Sequence, residues 1–292
     1  MTVPSAGALT SWAFDAIGTR WRIDTVAAIP LEVRDEVAAA VARFDRDWSR
    51  FRVDSTVSRL AAAGGDVVAP ADAVAMLDAY VALEEATDGA VNPLVGEVLA
   101  RRGYDADYSF VDRGAAAAPR GWHDRVHWSN GRLGVDAGVT LDVGALGKGR
   151  LVDLVLDVVR AAGVDAVVVD AGGDLRTHGI PQRIGLEHPH DSSRVLGIWT
   201  VTDAALCASA TNRRVWGDGL HHVLDARTGE PVRRYAATWA VAADAMTADA
   251  VATALFFDGG PRLAAAWGAR WVRMRTDGVV EYSPGCEAEL FT

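Results

Sequence analysis

The chain of 292 residues is long enough for one large domain or two intimately packed lobes, and its content of 50% hydrophobic and 23% charged residues is that of a globular protein. The net charge of −10 disfavours nucleic acid and anionic membrane surfaces as partners, because an acidic surface repels phosphate. Any phosphate-bearing ligand then has to be held locally by a metal, a lysine or backbone amides.

The cysteines and the N-terminal segment indicate the compartment. Cys207 and Cys286 are too far apart in sequence for a CxxC pair and too few for a disulfide framework, so we interpret both as structural thiols. The opening segment MTVPSAGALTSWAFD contains no basic start, apolar core or lipid-attachment cysteine. No stretch approaches the ~20 consecutive apolar residues of a membrane helix. We therefore expect a cytoplasmic protein.

The N-terminal part of the chain begins with a predicted short tail, residues 1–11. WAFDAIGTRWRIDTVA then alternates roughly between apolar and polar residues and predicts a strand. A helix is predicted next, since apolar residues of LEVRDEVAAAVARFDRDW recur near helical spacing: Leu31, Val37, Val41, Phe44 and Trp48. ADAVAMLDAYVALEEATDG predicts a second helix, with Gly89 as its C-terminal cap. Residues 104–130 predict loops and an edge strand.

The rest of the chain mixes strands and helices. GVTLDVGALGKGRLVDLVLDVVRAAG predicts a strand, a glycine-rich turn and a helix. DAVVVDAGGDLRTHG predicts a strand buried on both faces, in a sheet covered by helices. AATWAVAADAMTADAVATALFF predicts a strand, a turn and a helix, and short strands are predicted around WVRMRT and VVEYS. Because no regular βαβ alternation is present, we predict an α+β fold rather than a doubly wound sheet.

The segment GALGKG, residues 144–149, is a candidate anion site. Its glycines let the backbone approach a ligand, amides that open a helix attract anions, and Lys148 adds a positive charge. It is neither a Walker loop nor a GxGxxG dinucleotide motif. A tight strand-to-helix turn with a solvent-exposed lysine explains the pattern equally well.

Two further segments carry side chains suited to metal binding and proton transfer. Asp249 and Thr253 lie four residues apart, which places both oxygens on one face of a helix and suits Mg²⁺, although an aspartate near a helix start also stabilises the helix dipole. GLHHVLDARTGEP contains His222, a candidate general base or phosphate contact. Its histidines are equally compatible with structural roles.

Glycine-rich AGGDLRTHG fits either close approach of backbone to a ligand or a hairpin turn, and WSRFRVDSTVSRL alone reads as a basic surface turn that caps a helix. Together and in this order, the segments resemble the ApbE family, the FAD:protein FMN transferases. FDAIGT, WSRFRVDSTVSRL, TDGAVNPLVGEVL, LDVGALGKGRLVD, VVVDAGGDLRTHG, HHVLDARTGEP and ADAVATAL carry the resemblance, from residue 12 to about 257. It implies an ApbE-like mixed sheet with packed helices, as a single flavin transferase domain over residues 12–292.

The resemblance also implies roles for individual residues. Mg²⁺ would be held by the side chains of Asp249 and Thr253 and by the backbone carbonyl of Ala145. His222 would lie at the FAD pyrophosphate and help deprotonate the attacking hydroxyl. The remaining cofactor-binding positions implied by the resemblance are Ile17, Phe51, Gly89, Ala90, Val91, Asp142, Lys148 and Val223.

The implied reaction is Mg²⁺-dependent cleavage of the FAD pyrophosphate, transfer of FMN to a threonine or serine hydroxyl of an acceptor flavoprotein, and release of AMP. Two alternatives stay open: an FAD pyrophosphatase that gives FMN and AMP, and a flavin-binding protein without catalysis. The chain departs from the family pattern at several positions. Ile17 stands where methionine is common, Asn92 and Leu94 replace an aspartate and a threonine, and Ala226 replaces a proline. ASATNRR, residues 208–214, stands where a Ser-Gly turn is usual.

Overall fold

The structure is a computed structural model that describes residues 9–291. In chain order its strands are β1 (Thr10–Ala16), β2 (Thr19–Thr25), β3 (Gly65–Val68), β4 (Val126–Ser129), β5 (Arg132–Val135), β6 (Val167–Asp170), β7 (Asp174–His178), β8 (Gln182–His188), β9 (Asp191–Val201), β10 (Ala205–Ala210), β11 (Val215–Trp216), β12 (Leu220–His221), β13 (Leu224–Asp225), β14 (Glu230–Pro231), β15 (Tyr235–Ala242), β16 (Arg270–Arg275), β17 (Val280–Tyr282) and β18 (Glu289–Leu290). An eight-stranded antiparallel sheet with strand order β1-β2-β6-β7-β10-β15-β16-β17 forms the centre of the fold. The other strands form two three-stranded sheets, β3-β5-β4 and β18-β9-β8, and two short hairpins, β11-β12 and β13-β14.

The helices bury apolar faces against one another and against this central sheet. In chain order they are α1 (Leu31–Trp48), α2 (Thr56–Ala63), α3 (Ala73–Thr87), α4 (Val95–Arg101), α5 (Gly147–Ala161), α6 (Ala245–Ala254) and α7 (Gly260–Ala266). α5 packs on both α1 and α6, and α6 also packs on β10 and β15. The largest group of buried apolar side chains joins these helices to the sheet. The predicted α+β fold is confirmed.

The local predictions hold where an apolar pattern is strong. α1 buries Val37, Phe44 and Trp48 as its spacing predicts, and the whole apolar run of β6 is buried. A positive φ at both Gly172 and Gly173 makes the turn between β6 and β7. Within residues 104–130 the structure has loops, a short 3₁₀ turn and the edge strand β4.

Three predicted boundaries differ from the structure. β1 begins at Thr10 and pairs with β2, so the end of the predicted tail, residues 1–11, belongs to a strand; residues 1–8 lie outside the described part of the chain. Residues 139–143 run to the glycine-rich turn without joining a sheet, because the Asp142 amide donates to the carbonyl of Pro93 instead. α3 ends at Thr87, two residues before Gly89, and Asp88 is its left-handed C-cap. The single domain over residues 12–292 stays a prediction.

Across residues 9–291, no helix combines the length and apolar character needed to cross a membrane.

Candidate functional site

A cleft of about 940 Å³ opens where the start of α5, the middle of α6 and the ends of several sheet strands meet. Most of the predicted site residues line it: Ile17, Phe51, Ala90, Val91, Asp142, Ala145, Lys148, His222, Val223, Asp249 and Thr253. Gly89 is not among the lining residues; it lies in the turn after α3, beside the side chain of Arg227. The fold therefore gathers side chains from distant parts of the chain into one cavity.

The junction of α5 and α6 contains the predicted metal ligands. The Thr253 hydroxyl donates to the carbonyl of Ala145 at 3.2 Å, so these two oxygens are adjacent. One turn earlier on α6, Asp249 is only 3% exposed, and its Oδ2 accepts the Gly149 amide at 2.9 Å. A Cβ at Gly149 would overlap the carbonyl oxygen of Ala245, so glycine is required for this close approach.

The donor set fits a hard divalent cation whose remaining ligands come from elsewhere. It offers one carboxylate, one hydroxyl and one carbonyl, and Mg²⁺ in proteins commonly takes one or two carboxylates together with waters and substrate phosphates. Within residues 9–291 no group of three or more His, Cys, Asp or Glu side chains converges as a metal site. A metal bound beside Asp249 would therefore complete its coordination with waters or with phosphate oxygens of a ligand.

Charge balance around Asp249 involves Lys148. Burial raises the pKa of the Asp249 carboxyl, and the nearby Lys148 ammonium and the Gly149 amide act against this increase. Lys148, at the start of α5, also contacts the fully buried carboxylate of Asp174. The lysine is thus a fixed positive charge at the floor of the cleft.

Asp142 organises the glycine-rich turn before α5. Its Oδ2 accepts from the Nε of Arg50 at 2.5 Å, and its Oδ1 accepts from the Gly144 amide at 2.7 Å. The Tyr80 hydroxyl donates to the Asp142 carbonyl at 2.9 Å and lies 3.3 Å from the Ala145 amide, which donates to it. Both carboxylate oxygens are engaged within the protein, so Asp142 positions the turn.

Sequence reasoning missed Arg50 and Tyr80. Arg50 lies in a segment that resembles a basic surface turn, and its partner is 92 residues away. Tyr80 fits the apolar pattern of α3 and carries no local signal of a polar role. Only the tertiary structure shows that Arg50 and Tyr80 both hydrogen-bond to Asp142.

The two adjacent histidines have different environments. His221 is a structural residue, because its Nε2 lies 3.0 Å from the Val232 carbonyl and its Nδ1 accepts the Val223 amide at 3.3 Å. His222 faces the cleft, and its buried Nδ1 has no hydrogen-bond partner within residues 9–291. Burial, followed by the positive charge of Arg214, lowers the pKa of His222 to about 3. The ring is therefore neutral at neutral pH.

An aromatic wall formed by Phe51, Tyr104 and Tyr108 closes one side of the cleft. Phe51 and Tyr108 stack in parallel with centroids 5.5 Å apart, and Tyr104 meets both rings edge-on. The Arg50 guanidinium lies 4.1 Å from the centroid of the Phe51 ring. Tyr108 is 46% exposed and has a φ of +50° on an irregular loop. A flavin that stacks on Phe51 would compete with the Tyr108 ring.

A strained turn between β1 and β2 also lines the cleft. Ile17 and Gly18 join β1 to β2 with φ values of +43° and +75°, as a type I′ hairpin turn requires. A β-branched residue rarely adopts a positive φ, and such strain persists only where the surroundings enforce it. The turn holds Ile17 against the cavity.

Comparisons with known proteins agree with this architecture. A family model described as the ApbE family matches residues 17–273. An FAD:protein FMN transferase of Rhodobacter capsulatus is 28% identical over 96% of this chain, and one of Treponema pallidum is 28% identical over 82%. The matched regions are 58% and 76% of those two proteins, and a relative from Klebsiella pneumoniae with the same name matches over 39% of its length. The chain thus spans less than two thirds of the first and third of these relatives.

Solved structures show the same fold. The ApbE protein of Thermotoga maritima superimposes with a TM-score of 0.80 at 24% identity, covering 94% of this chain and 97% of that one. The flavin transferase ApbE of Vibrio cholerae gives a TM-score of 0.78 at 20% identity, with 97% of each chain covered.

Proposed function

The chain belongs to the ApbE family, and on this premise we propose that it is an Mg²⁺-dependent FAD:protein FMN transferase. Its reaction cleaves the pyrophosphate of FAD, attaches FMN to a threonine or serine hydroxyl of an acceptor flavoprotein and releases AMP. The names of the relatives from Rhodobacter and Treponema support the transfer of FMN. The dependence on Mg²⁺ and the threonine or serine hydroxyl as acceptor are proposed in addition to what those names state.

One observation carries the proposal: a half-buried, neutral His222 and the oxygens of Asp249, Thr253 and Ala145 share one cleft. Binding of a flavin alone requires neither a buried carboxylate nor an imidazole with a buried ring nitrogen that has no partner within residues 9–291. Phosphoryl transfer requires both a site that neutralises phosphate charge and a group that accepts a proton from the nucleophile. Mg²⁺ bound by these oxygens would neutralise charge on the pyrophosphate.

The chain's own residues would then act as follows. The glycine-rich turn, which Asp142 and Tyr80 hold in place, positions the Lys148 ammonium at the start of α5 to attract the phosphates. Phe51, in the aromatic wall, orients the flavin ring by stacking on it. These contacts fix the FMN phosphorus for attack by the acceptor oxygen.

His222 is the proposed proton acceptor. With no ligand its low pKa leaves the ring neutral and able to accept a proton. A bound pyrophosphate places negative charge nearby, which raises the pKa of the imidazole and strengthens it as a base. As the bond from the acceptor oxygen to the FMN phosphorus forms, the phosphoanhydride bond to AMP breaks, and the hydroxyl proton passes to His222.

The first test measures AMP and free FMN after incubation of the purified protein with FAD and Mg²⁺, with and without an acceptor flavoprotein. Asp249→Ala, His222→Ala and EDTA should each abolish AMP release. Asp258→Ala, which removes a largely exposed carboxylate paired with Arg234, is the matched control and should leave it intact. AMP and FMN in equal amounts with every acceptor would favour a pyrophosphatase, and tight FAD binding without AMP would leave a flavin-binding protein.

A further inference from the structure

The positive side chains that line the cleft differ in whether they are paired. Arg50, Arg52, Lys148 and Arg213 each contact a carboxylate: Asp142 for Arg50, Asp45 and Asp54 for Arg52, Asp174 for Lys148 and Glu187 for Arg213. Arg214 lines the same cleft and is exposed, but it has no acidic partner within residues 9–291. In a protein with a net charge of −10, this guanidinium is available to an anionic ligand.

The hairpin β11-β12 places Arg214 beside His222. Val215 pairs with His221 and Trp216 with Leu220, so Arg214 and His222 occupy the next position of the same antiparallel register. Residues directly opposite each other in such a register point to the same face with Cβ atoms about 4.5–5.5 Å apart. Both residues line the cleft. The hairpin therefore delivers a cation and an imidazole to the cleft together.

The aromatic wall supports the arginine on its other side. The Arg214 guanidinium carbon lies 5.9 Å from the centroid of the Tyr104 ring, and Tyr104 stacks on Trp216 at 5.5 Å. The arginine also acts electrostatically on the site: after burial, its charge contributes to the lowered pKa of His222, and it opposes the increase that burial causes in the pKa of Asp249. Arg214 therefore lies beside the aromatic wall, in the cleft that His222 and Asp249 also line.

We propose that Arg214 binds the diphosphate of FAD and thereby makes the site selective for a flavin that carries a diphosphate over a flavin without phosphate. A guanidinium presents a planar fork of N–H donors that matches phosphate oxygens, which suits this task better than an ammonium. Arg214 closes the segment ASATNRR, where this chain departs from the usual Ser-Gly turn. The inference rests on the proposed function, since it assigns FAD to the same cleft.

The test is equilibrium binding of FAD and of riboflavin, followed by flavin fluorescence, in EDTA. Arg214→Ala should weaken FAD binding by about ten- to a hundredfold, the range expected for lost hydrogen bonds to a charged group, and should leave riboflavin binding unchanged. Arg214→Lys should fall between wild type and alanine. Arg160→Ala removes an exposed arginine at the end of α5, outside the cleft, and should match wild type.

An FAD affinity that is unchanged in Arg214→Ala would overturn the inference. A riboflavin affinity that falls as much as the FAD affinity would also overturn it, because such a loss indicates a damaged aromatic wall. The proposed function fails separately. If wild type binds FAD in an Arg214-dependent way but releases no AMP with Mg²⁺ and acceptor, diphosphate recognition stands and catalysis does not. If wild type transfers FMN and Arg214→Ala keeps the same kcat/KM and FAD affinity, only the role of Arg214 is wrong.

Discussion

Acidification is expected to destabilise the metal-free protein through His222. In the folded chain the His222 pKa is about 3, below the ordinary value of 6.5. Between these two values the unfolded chain binds a proton at His222 and the folded chain does not, so the free energy of unfolding falls as the pH falls from 6.5 towards 3. Where the unfolded chain binds one more proton than the folded chain, each decrease of one pH unit lowers the free energy of unfolding by about 1.4 kcal/mol. Between about pH 7.5 and about pH 5 the His222 contribution therefore falls by about 2 kcal/mol.

The assay is urea denaturation in EDTA at both pH values, for wild type and for His222→Asn. Other groups titrate in this range, including His221, whose pKa burial also lowers, so the informative quantity is the difference between the two proteins. The stability of wild type relative to His222→Asn should decrease by about 2 kcal/mol on acidification. A difference that does not change with pH would show that burial does not keep the imidazole neutral.

Four further single substitutions test the cleft. Arg50→Ala and Asp142→Ala should each lower the free energy of unfolding, measured by urea denaturation, by about 3–5 kcal/mol, because each change leaves a buried charge unpaired. The double variant should lose less than the sum of the two single losses. Additive losses would contradict this reasoning. Tyr108→Ala should strengthen riboflavin binding about two- to tenfold, measured by fluorescence, since the flavin no longer displaces the stack on Phe51; weaker binding would show that Tyr108 does not compete. Gly149→Ala should abolish thermal stabilisation by Mg²⁺, because the added methyl group separates α5 from α6; a wild-type Mg²⁺ response would refute that reason.

Local apolar patterns predicted the helices α1, α3, α5 and α6 and the buried strand β6, because burial of one helix face or of a whole strand leaves a pattern in the sequence. The paired glycines after β6 predicted the β6–β7 turn. The helices α2, α4 and α7 were not predicted. Residues 139–143 show the limit of this reasoning. They alternate apolar and polar residues over the length of a strand, but the Asp142 amide donates to the carbonyl of Pro93 in a loop, which no periodicity reveals.

The sequence predicted most of the residues that line the candidate site, but it did not predict the contacts between distant segments that hold them in place. Asp249 and Thr253 are four residues apart on one helix, so their shared face follows from helix geometry. The ion pair of Arg50 with Asp142 and the alignment of Arg214 with His222 depend on contacts between separate segments, and neither leaves a local pattern. The aromatic wall contains Tyr104 and Tyr108 from a stretch without periodicity, and tertiary packing alone brings them to Phe51.

The central claim is the transfer of FMN, and the intact mass of the acceptor flavoprotein tests it most directly. The acceptor is incubated with FAD, Mg²⁺ and either wild type, Asp249→Ala or the Asp258→Ala control, with an EDTA arm for wild type. The account predicts a mass increase of one phosphoester-linked FMN with wild type and Asp258→Ala, and none with Asp249→Ala or with EDTA. An FMN-modified acceptor in the EDTA arm or with Asp249→Ala would contradict the proposed metal site, and an unmodified acceptor beside measured AMP release would contradict transfer.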